Sequence, residues 1–305
     1  MKKYIRRFYR NRQALHPATK TRDIILAGAL SLSFALYAFT WNHAHTHYPG
    51  VNYFVDAPPL FTLLTGLLYA GCRLQFGTHS PVTIRVREFF FFTLMLCIIL
   101  IMTNAVQFTP FKPIDSALYA FDGALHLDVS HSMTWLQSYP ILERWLWFCY
   151  KYLAYEIITI PLLVILAGHI EHLREYYFMM LATAFVGFMI YYFFPTTAPA
   201  SILDNPRFTA QQYATGLKFW QIHHYIPPTT GDGGMISLPS YHVIWAFLCL
   251  RLTRMWALVY YPLWIYTASL IASCVLLGWH YYIDIAASFV IVGLSHHVWQ
   301  RRRTP

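Results

Sequence analysis

Ser237-Leu238-Pro239-Ser240-Tyr241-His242 and Gly278-Trp279-His280-Tyr281-Tyr282-Ile283-Asp284 are two short polar motifs at the edges of otherwise apolar segments. They place two histidines and a carboxylate where the chain is apolar enough to lie in lipid. Ionisable side chains are costly at such positions and usually mark function. We therefore take His242, His280 and Asp284 as the candidate catalytic residues.

The first motif has the features of a helix start. Ser240 directly precedes an apolar run and is a favourable N-cap residue. The first turn of a helix has backbone N–H groups without partners, and together with the helix dipole they attract anions. The sequence therefore predicts an anion site at Ser240, with His242 beside it.

In the second motif, His280 and Asp284 are four residues apart and would share one face of a helix. The carboxylate can then accept a hydrogen bond from one imidazole nitrogen and leave the other free and more basic. An oriented imidazole, a second imidazole and an anion site are the groups needed to attack a phosphate ester. One histidine would be the nucleophile and the other the general acid.

These residues resemble a known family. Pro239-Ser240-x-His242 and His280-x-x-x-Asp284 look like the second and third motifs of the type 2 phosphatidic acid phosphatase superfamily, P-S-G-H and S-R-x5-H-x3-D. The resemblance covers roughly residues 191–297. It implies that His280 takes the phosphoryl group, that Asp284 orients His280, and that His242 protonates the leaving oxygen.

The sequence also departs from this family. Tyr241 replaces the glycine of the second motif, Ser273 matches the third, and Cys274 stands where the phosphate-binding arginine belongs. No K-x6-R-P motif is found. The missing cations lead us to expect that Arg207 or Lys218, in the long loop before Ser237, supplies positive charge to the substrate, although either can equally be an ordinary loop charge in water. Ser237, Ser240 and Tyr241 are the other candidate substrate-binding residues.

The sequences of the motifs are closer to those of the inositol phosphorylceramide synthase branch than to the general motifs of the superfamily. The residues that carry this likeness are Gly231-Asp232, Leu238-Pro239-Ser240-Tyr241-His242, His280-Tyr281-Tyr282-x-Asp284 and, upstream, Phe194-Pro195-Thr196-Thr197-Ala198-Pro199. That branch is similar to the sphingomyelin synthases, which also transfer a phospho-head group between lipids. The resemblance therefore implies lipid substrates.

Composition identifies the broad class. The chain has 305 residues, of which 57% are hydrophobic and only 11% charged, less than half the charged fraction of a soluble domain. We therefore predict an all-α, multi-pass membrane protein. The net charge of +9 comes from basic residues at the ends of apolar segments, which favours anionic lipid head groups over nucleic acid as partners. The five cysteines have no zinc-site spacing.

Eight apolar segments of roughly membrane-spanning length can be counted, and seven is the competing number because the sixth merges with the seventh. The first two would be accessory helices in residues 24–87, after a basic arm at 1–23, and the other six a catalytic core at 88–305. The predicted spans are Ile24–Trp41, Pro58–Phe76, Glu88–Phe108, Arg144–Ala167, Tyr176–Phe194, Ser240–Thr253, Trp256–Leu277 and Tyr281–Trp299.

Charge favours eight spans. With eight, 17 of the 22 Lys and Arg residues lie on the side of both termini, and the positive-inside rule makes that side cytoplasmic. Both motifs then fall together on the opposite, extracytoplasmic face. The five basic residues elsewhere are Lys112, Arg144, Lys151, Arg207 and Lys218.

Several other polar groups receive simpler interpretations. His43, His45 and His47 have no accompanying carboxylate or cysteine, so a solvated loop is favoured over a metal site. The segment 110–140 is expected to lie on the membrane surface as an amphipathic piece. Lys151 and Glu156 are expected to face the bundle and to be paired there, and Pro161 to kink their span.

Three functions remain open from the sequence. The first is a lipid phosphotransferase that uses a phospholipid donor and a lipid hydroxyl acceptor, the second is a lipid phosphatase with water as acceptor, and the third is a non-catalytic lipid-binding protein. Loss of both cationic motifs disfavours a doubly charged phosphate monoester, which calls for bidentate arginine. The transferase is therefore preferred. No metal or other cofactor is expected.

Overall fold

A computed structural model describes residues 17–46, 57–231 and 237–301, which form twelve α-helices, a 3-10 turn at Pro199–Ser201 and no β-strand. The predicted all-α membrane bundle is confirmed. In chain order the helices are α1 (Pro17–Thr46), α2 (Ala57–Phe76), α3 (Pro81–Val106), α4 (Asp115–Ala124), α5 (Val129–Leu136), α6 (Pro140–Lys151), α7 (Leu153–Ala167), α8 (Ile170–Phe193), α9 (Ala210–His223), α10 (Tyr241–Leu252), α11 (Ala257–Leu276) and α12 (Tyr282–Arg301).

Among the described residues, five helices are long and apolar enough to cross a bilayer, namely α1, α3, α8, α11 and α12. The pair α6 and α7 makes a sixth if it is one bent span. The chain is thus an integral membrane protein. Each of the eight predicted spans overlaps a described helix, and the fourth overlaps two. Helix α10, however, has only 12 residues, fewer than the roughly 20 that a hydrocarbon core requires. The number of crossings therefore stays a prediction.

The fourth predicted span is bent, and the break is not at the expected position. The axes of α6 and α7 differ by 53°, and the break is at Tyr152, between the two helices, whereas Pro161 lies inside α7. The predicted pairing of charges is also wrong. Lys151 is exposed, and both carboxylate oxygens of the buried Glu156 are without a hydrogen-bond partner in the described part of the chain.

Helix α8 is the centre of the bundle. It packs against α1, α3, α7, α10 and α12, and its tyrosines at 191 and 192 are fully buried. Helix α1 joins this core through small buried residues, Ala27, Ser31, Ala35 and Ala38, while α2 packs on α3. Residues 1–16 of the predicted basic arm lie outside the described residues, and 17–23 belong to α1. The division into accessory helices and core stays a prediction.

Two buried carboxylates gather arginines at one end of the bundle. Helices α10 and α12 both begin at the polar motifs and run to this end, where Arg251 of α10 and His296 of α12 meet Glu175. The motifs and the ion pairs therefore occupy opposite ends. The pairs are Arg87–Glu88 (2.8 Å), Arg174–Glu88 (2.6 Å), Arg251–Glu175 (2.7 Å) and Arg254–Glu175 (2.8 Å).

We expect Glu88→Gln to lower the free energy of unfolding by about 3 kcal/mol, because loss of one partner leaves buried charge uncompensated. Thermal unfolding of the purified protein in detergent would measure the change. Glu171→Gln is the matched control, since Glu171 is exposed and contacts only histidines at 3.5 and 3.8 Å, and surface pairs contribute little. Equal shifts for the two variants would contradict a stabilising role for this cluster.

Candidate active site

The turn between α11 and α12 presents His280. The backbone N–H groups of Trp279 and His280 both donate to the carbonyl of Cys274, at 3.0 and 2.9 Å. Gly278 has a φ of +78°, a conformation that favours glycine. A Cβ atom at this position would also lie 2.4 Å from Met133 Sδ and 2.8 Å from Phe208 Cε1. Only glycine therefore fits the turn that carries the histidine.

The structure brings His280 and Asp284 together as their spacing predicted. His280 Nδ1 lies 3.2 Å from Asp284 Oδ2, which also accepts hydrogen bonds from the Tyr281 backbone N–H (3.0 Å) and from Ser237 Oγ (3.5 Å). A backbone group of Ser237 also hydrogen-bonds to the imidazole, and Nε2 is the nitrogen that Asp284 does not contact. Burial lowers the pKa of the His280 imidazole to about 4, so the ring is neutral at pH 7, as a nucleophile must be.

His242, the second residue of α10, lies beside His280. The centroids of the two rings are 5.9 Å apart. The ring of His242 stacks on Tyr150 at 4.2 Å, and Tyr150 stacks in turn on Trp279 at 5.1 Å, with both interplanar angles 11°. An aromatic stack thus connects the two motifs and holds the His242 ring. Tyr150 was not singled out from the sequence, because only the bend after α6 brings it here.

Ser240 occupies the N-cap position of α10, but its side chain makes no capping hydrogen bond, and the predicted capping by its hydroxyl is therefore wrong. The hydroxyl instead donates to Cys274 Sγ at 3.9 Å, while Ser288 Oγ donates to the Ser240 carbonyl at 3.1 Å. Without a side-chain cap, the first-turn N–H groups stay available to an anion. Cys274 is fully buried.

Tyr241 is directed away from the histidines. Its hydroxyl lies 3.3 Å from the carbonyl oxygens of Thr183 and Ala184 in α8. Gly187 makes room for it, since a Cβ there would lie 2.4 Å from the Tyr241 hydroxyl. The side chain thus joins α10 to α8, and a contact with substrate stays a prediction.

The two predicted cations differ in environment. Arg207 is half-buried beside Phe208. Phe208 packs on the turn at Gly278–His280, the candidate catalytic turn. Lys218 on α9 is almost completely buried, with Nζ 5.7 Å from the Phe219 ring centroid. Within the described residues, Arg207 forms no hydrogen bond or ion pair with His242, His280 or Asp284. Their part in binding substrate stays a prediction.

Two aspartates that the sequence analysis did not select as site residues form hydrogen bonds with the catalytic turn and the start of α12. Asp122 of α4 accepts hydrogen bonds from the backbone N–H groups of Tyr282 (2.7 Å) and Ile283 (3.2 Å), so it caps α12. Asp115 accepts from the Tyr281 hydroxyl at 3.1 Å and from Thr197 N and Oγ1 at 2.9 Å. Burial raises the pKa of Asp115 to about 6, and these hydrogen bonds act in the opposite direction.

These contacts add a role to residues 110–140, whose position on the membrane surface stays a prediction. Helices α4 and α5 direct buried side chains towards the turn that carries His280. The seven-residue spacing of Asp115 and Asp122 places both on one helix face. That pattern was the signal in the sequence that would have identified them.

The arrangement suits attack on phosphorus. The rings of two histidines lie 5.9 Å apart at the start of α10, and such an arrangement could provide a nucleophile, a proton donor and an anion site. In the described part of the chain, no group of three or more His, Cys, Asp or Glu side chains is placed to hold a metal ion.

Comparison with known proteins agrees with this geometry. A family model described as the PAP2 superfamily matches residues 116–298. This range contains both motifs, the α4 aspartate that caps α12, and Tyr150. No curated protein and no solved structure matches the chain.

We expect Gly278→Ala to reduce turnover at least tenfold, because the added methyl group collides with two buried side chains and the backbone is left-handed. Gly293→Ala in α12 is the control, since a Cβ there meets no atom within 4 Å. Activity per folded protein would be measured after size-exclusion chromatography. Full activity of Gly278→Ala would show that the turn tolerates a side chain.

Proposed function

This chain belongs to the PAP2 superfamily, and from that premise we propose that it is a lipid phosphotransferase, which moves a phospho-head group from a phospholipid donor to the hydroxyl of a lipid acceptor. The superfamily comprises lipid phosphatases and phosphotransferases. The paired histidines and the buried carboxylate support catalysis over mere lipid binding.

In the first half of the proposed reaction, His280 is the nucleophile. Its Nε2 lone pair forms a bond to phosphorus while the bond from phosphorus to the lipid oxygen breaks. His242 gives a proton to that departing oxygen. Asp284, hydrogen-bonded to Nδ1, stabilises the positive charge that develops on His280. The products are a phosphohistidine bearing the head group and the free lipid alcohol.

In the second half, the acceptor hydroxyl attacks the phosphohistidine. The bond from phosphorus to Nε2 breaks, the electron pair returns to His280, and His242 takes the proton of the attacking hydroxyl. Water in place of a lipid alcohol would give hydrolysis by the same steps. The two activities therefore differ in the acceptor alone.

The observation that carries the choice of a phosphodiester donor is the contact between Ser240 and Cys274. The family motif has arginine where this chain has Cys274, and a buried thiol bonded to the head of α10 supplies no positive charge. The N–H groups of one helix start suit the single charge of a phosphodiester better than the double charge of a monoester. In such a transfer the phospholipid donor and the phospholipid product are both phosphodiesters, as in the inositol phosphorylceramide and sphingomyelin synthases that the motifs resemble.

We expect His280→Ala to abolish both transfer and hydrolysis, and His242→Ala to impair chiefly substrates with poor leaving groups. A nitrophenyl phosphodiester, whose leaving group needs no proton, should keep at least one tenth of its turnover in His242→Ala. Labelled phospholipids with ceramide or diacylglycerol as acceptor would be assayed, with and without chelator. His297→Ala, which changes an exposed histidine at the far end of α12, is the control.

Three outcomes would revise these assignments. Release of water-soluble phosphate without transfer makes the protein a phosphatase, and absence of any product makes it a lipid-binding protein. Equal loss on both leaving-group classes in His242→Ala, with residual activity in His280→Ala, would reverse the two histidine roles.

We further propose that the site faces away from the cytoplasm, as the positive-inside rule suggests. Arg85, Arg87, Arg174, Arg251 and Arg254 gather at the end of the bundle opposite to the histidines. The cytoplasmic termini and the extracytoplasmic site both follow if that end is cytoplasmic.

A cysteine at exposed Gln211, next to the residue that donates to the Leu277 carbonyl of the catalytic turn, should react with an impermeant reagent on intact cells. A cysteine at exposed Thr78, in the turn before α3, should react only after permeabilisation. The Cys72→Ala background would remove the one native cysteine that is not buried. Labelling of Thr78 alone on intact cells would invert the proposed orientation.

A further inference from the structure

A groove of about 350 Å³ opens between α1, α3 and α8, away from the active site. Its walls are apolar, formed by residues such as Ile24, Leu32, Leu94 and Leu181, and Arg174 stands at one end. Arg174 belongs to the ion-pair end of α8, and the opposite end of that helix leads to the loop that contacts the first motif. The groove is therefore separate from the catalytic residues.

The length of the groove matches one leaflet of a bilayer. It follows α1 from Thr21 to Leu32, which is about 16 Å at the helical rise of about 1.5 Å per residue. That is close to half of the roughly 30 Å hydrocarbon thickness. An acyl chain that enters beside Arg174 would thus lie along α1 down to the middle of the membrane.

The charged end of the groove is positive. Arg87 and Arg174 share the single carboxylate of Glu88, and their side chains keep 30% and 18% of their surface exposed. Two arginines on one carboxylate leave an excess of positive charge beside the groove, which attracts an anionic head group.

A second apolar groove on the other side of α1 provides a contrast. It lies against α8 and α12, has a volume of about 220 Å³, and is lined at its charged end by Asp23. An acidic residue at that position disfavours a phosphate. Of the two grooves that flank α1, the one lined by Arg174 is therefore the one suited to an anionic lipid.

We infer that the groove between α1, α3 and α8 binds one anionic phospholipid, with an acyl chain along α1 and the phosphate beside Arg87 and Arg174. This lipid is neither donor nor acceptor of the proposed reaction. It fills the space between α1 and the bundle and neutralises the arginines.

Gly28 offers a way to close the groove without disturbing its walls. A Cβ at Gly28 would meet Ile98 Cδ1 at 3.5 Å and Leu181 Cδ1 at 3.8 Å, which is ordinary contact. A leucine at this position would extend into the space that the chain occupies. Gly71→Leu is the matched control, because a Cβ at Gly71 meets no atom within 4 Å.

The test uses delipidated full-length protein carrying His280→Ala, so that turnover cannot consume the lipid. Phosphatidylglycerol and phosphatidylcholine with identical acyl chains are titrated separately in detergent, and bound lipid is counted by native mass spectrometry. We expect one phosphatidylglycerol to bind about tenfold more tightly than phosphatidylcholine. Gly28→Leu should weaken its binding about tenfold, Gly71→Leu should not, and Arg87→Gln should reduce the preference for phosphatidylglycerol.

Equal binding of the two lipids to the His280→Ala protein would overturn the inference. Unchanged phosphatidylglycerol binding in Gly28→Leu would also overturn it. In a separate experiment, a cysteine is placed at Leu32, and cross-linking of two copies of the protein that persists when lipid is added would show that a second copy occupies the groove. If Gly28→Leu fails to fold, Arg87→Gln still decides, because an unaltered head-group preference in that variant contradicts the assigned phosphate position.

Discussion

The hydrogen bonds between Asp122 and the first N–H groups of α12 are the interaction on which the catalytic turn depends. Inside a membrane, backbone groups at a helix start have no water to satisfy them. Asp122 supplies that partner from α4, more than 150 residues earlier in the chain. With the start of α12 held, Asp284 lies one turn along and reaches His280. The carboxylate at the helix start thus determines where the candidate nucleophile stands.

Local spacing and hydropathy predicted much of this protein. The i, i+4 separation of His280 and Asp284 is a property of one short segment, and so is the start of α10 at Tyr241. The apolar segments likewise identified every long helix, because length and composition alone decide whether a helix suits a bilayer. The family motifs then indicated that His242 and His280 would meet, which the structure shows with rings 5.9 Å apart.

The remaining features could not be predicted because they depend on contacts between distant segments. Tyr150 reaches His242 only because the chain turns at Tyr152, and nothing in the local pattern indicated that break. The sequence predicted Ser240 as a capping residue, yet its hydroxyl donates a hydrogen bond to the nearby Cys274 sulfur and not to the backbone. The spacing of Asp115 and Asp122 indicates a shared helix face, but only the folded bundle reveals which hydrogen-bond donors they satisfy.

The shortness of α10 has a consequence for the choice of acceptor. His242 is nine residues from Arg251, or about 14 Å along the helix, so if the arginines mark one boundary of a roughly 30 Å hydrocarbon layer, the histidines sit near its middle plane. A nucleophile at such a depth would meet less water than one at the membrane surface. Such burial would slow hydrolysis of a phosphohistidine relative to its capture by a lipid, without any residue that selects between them.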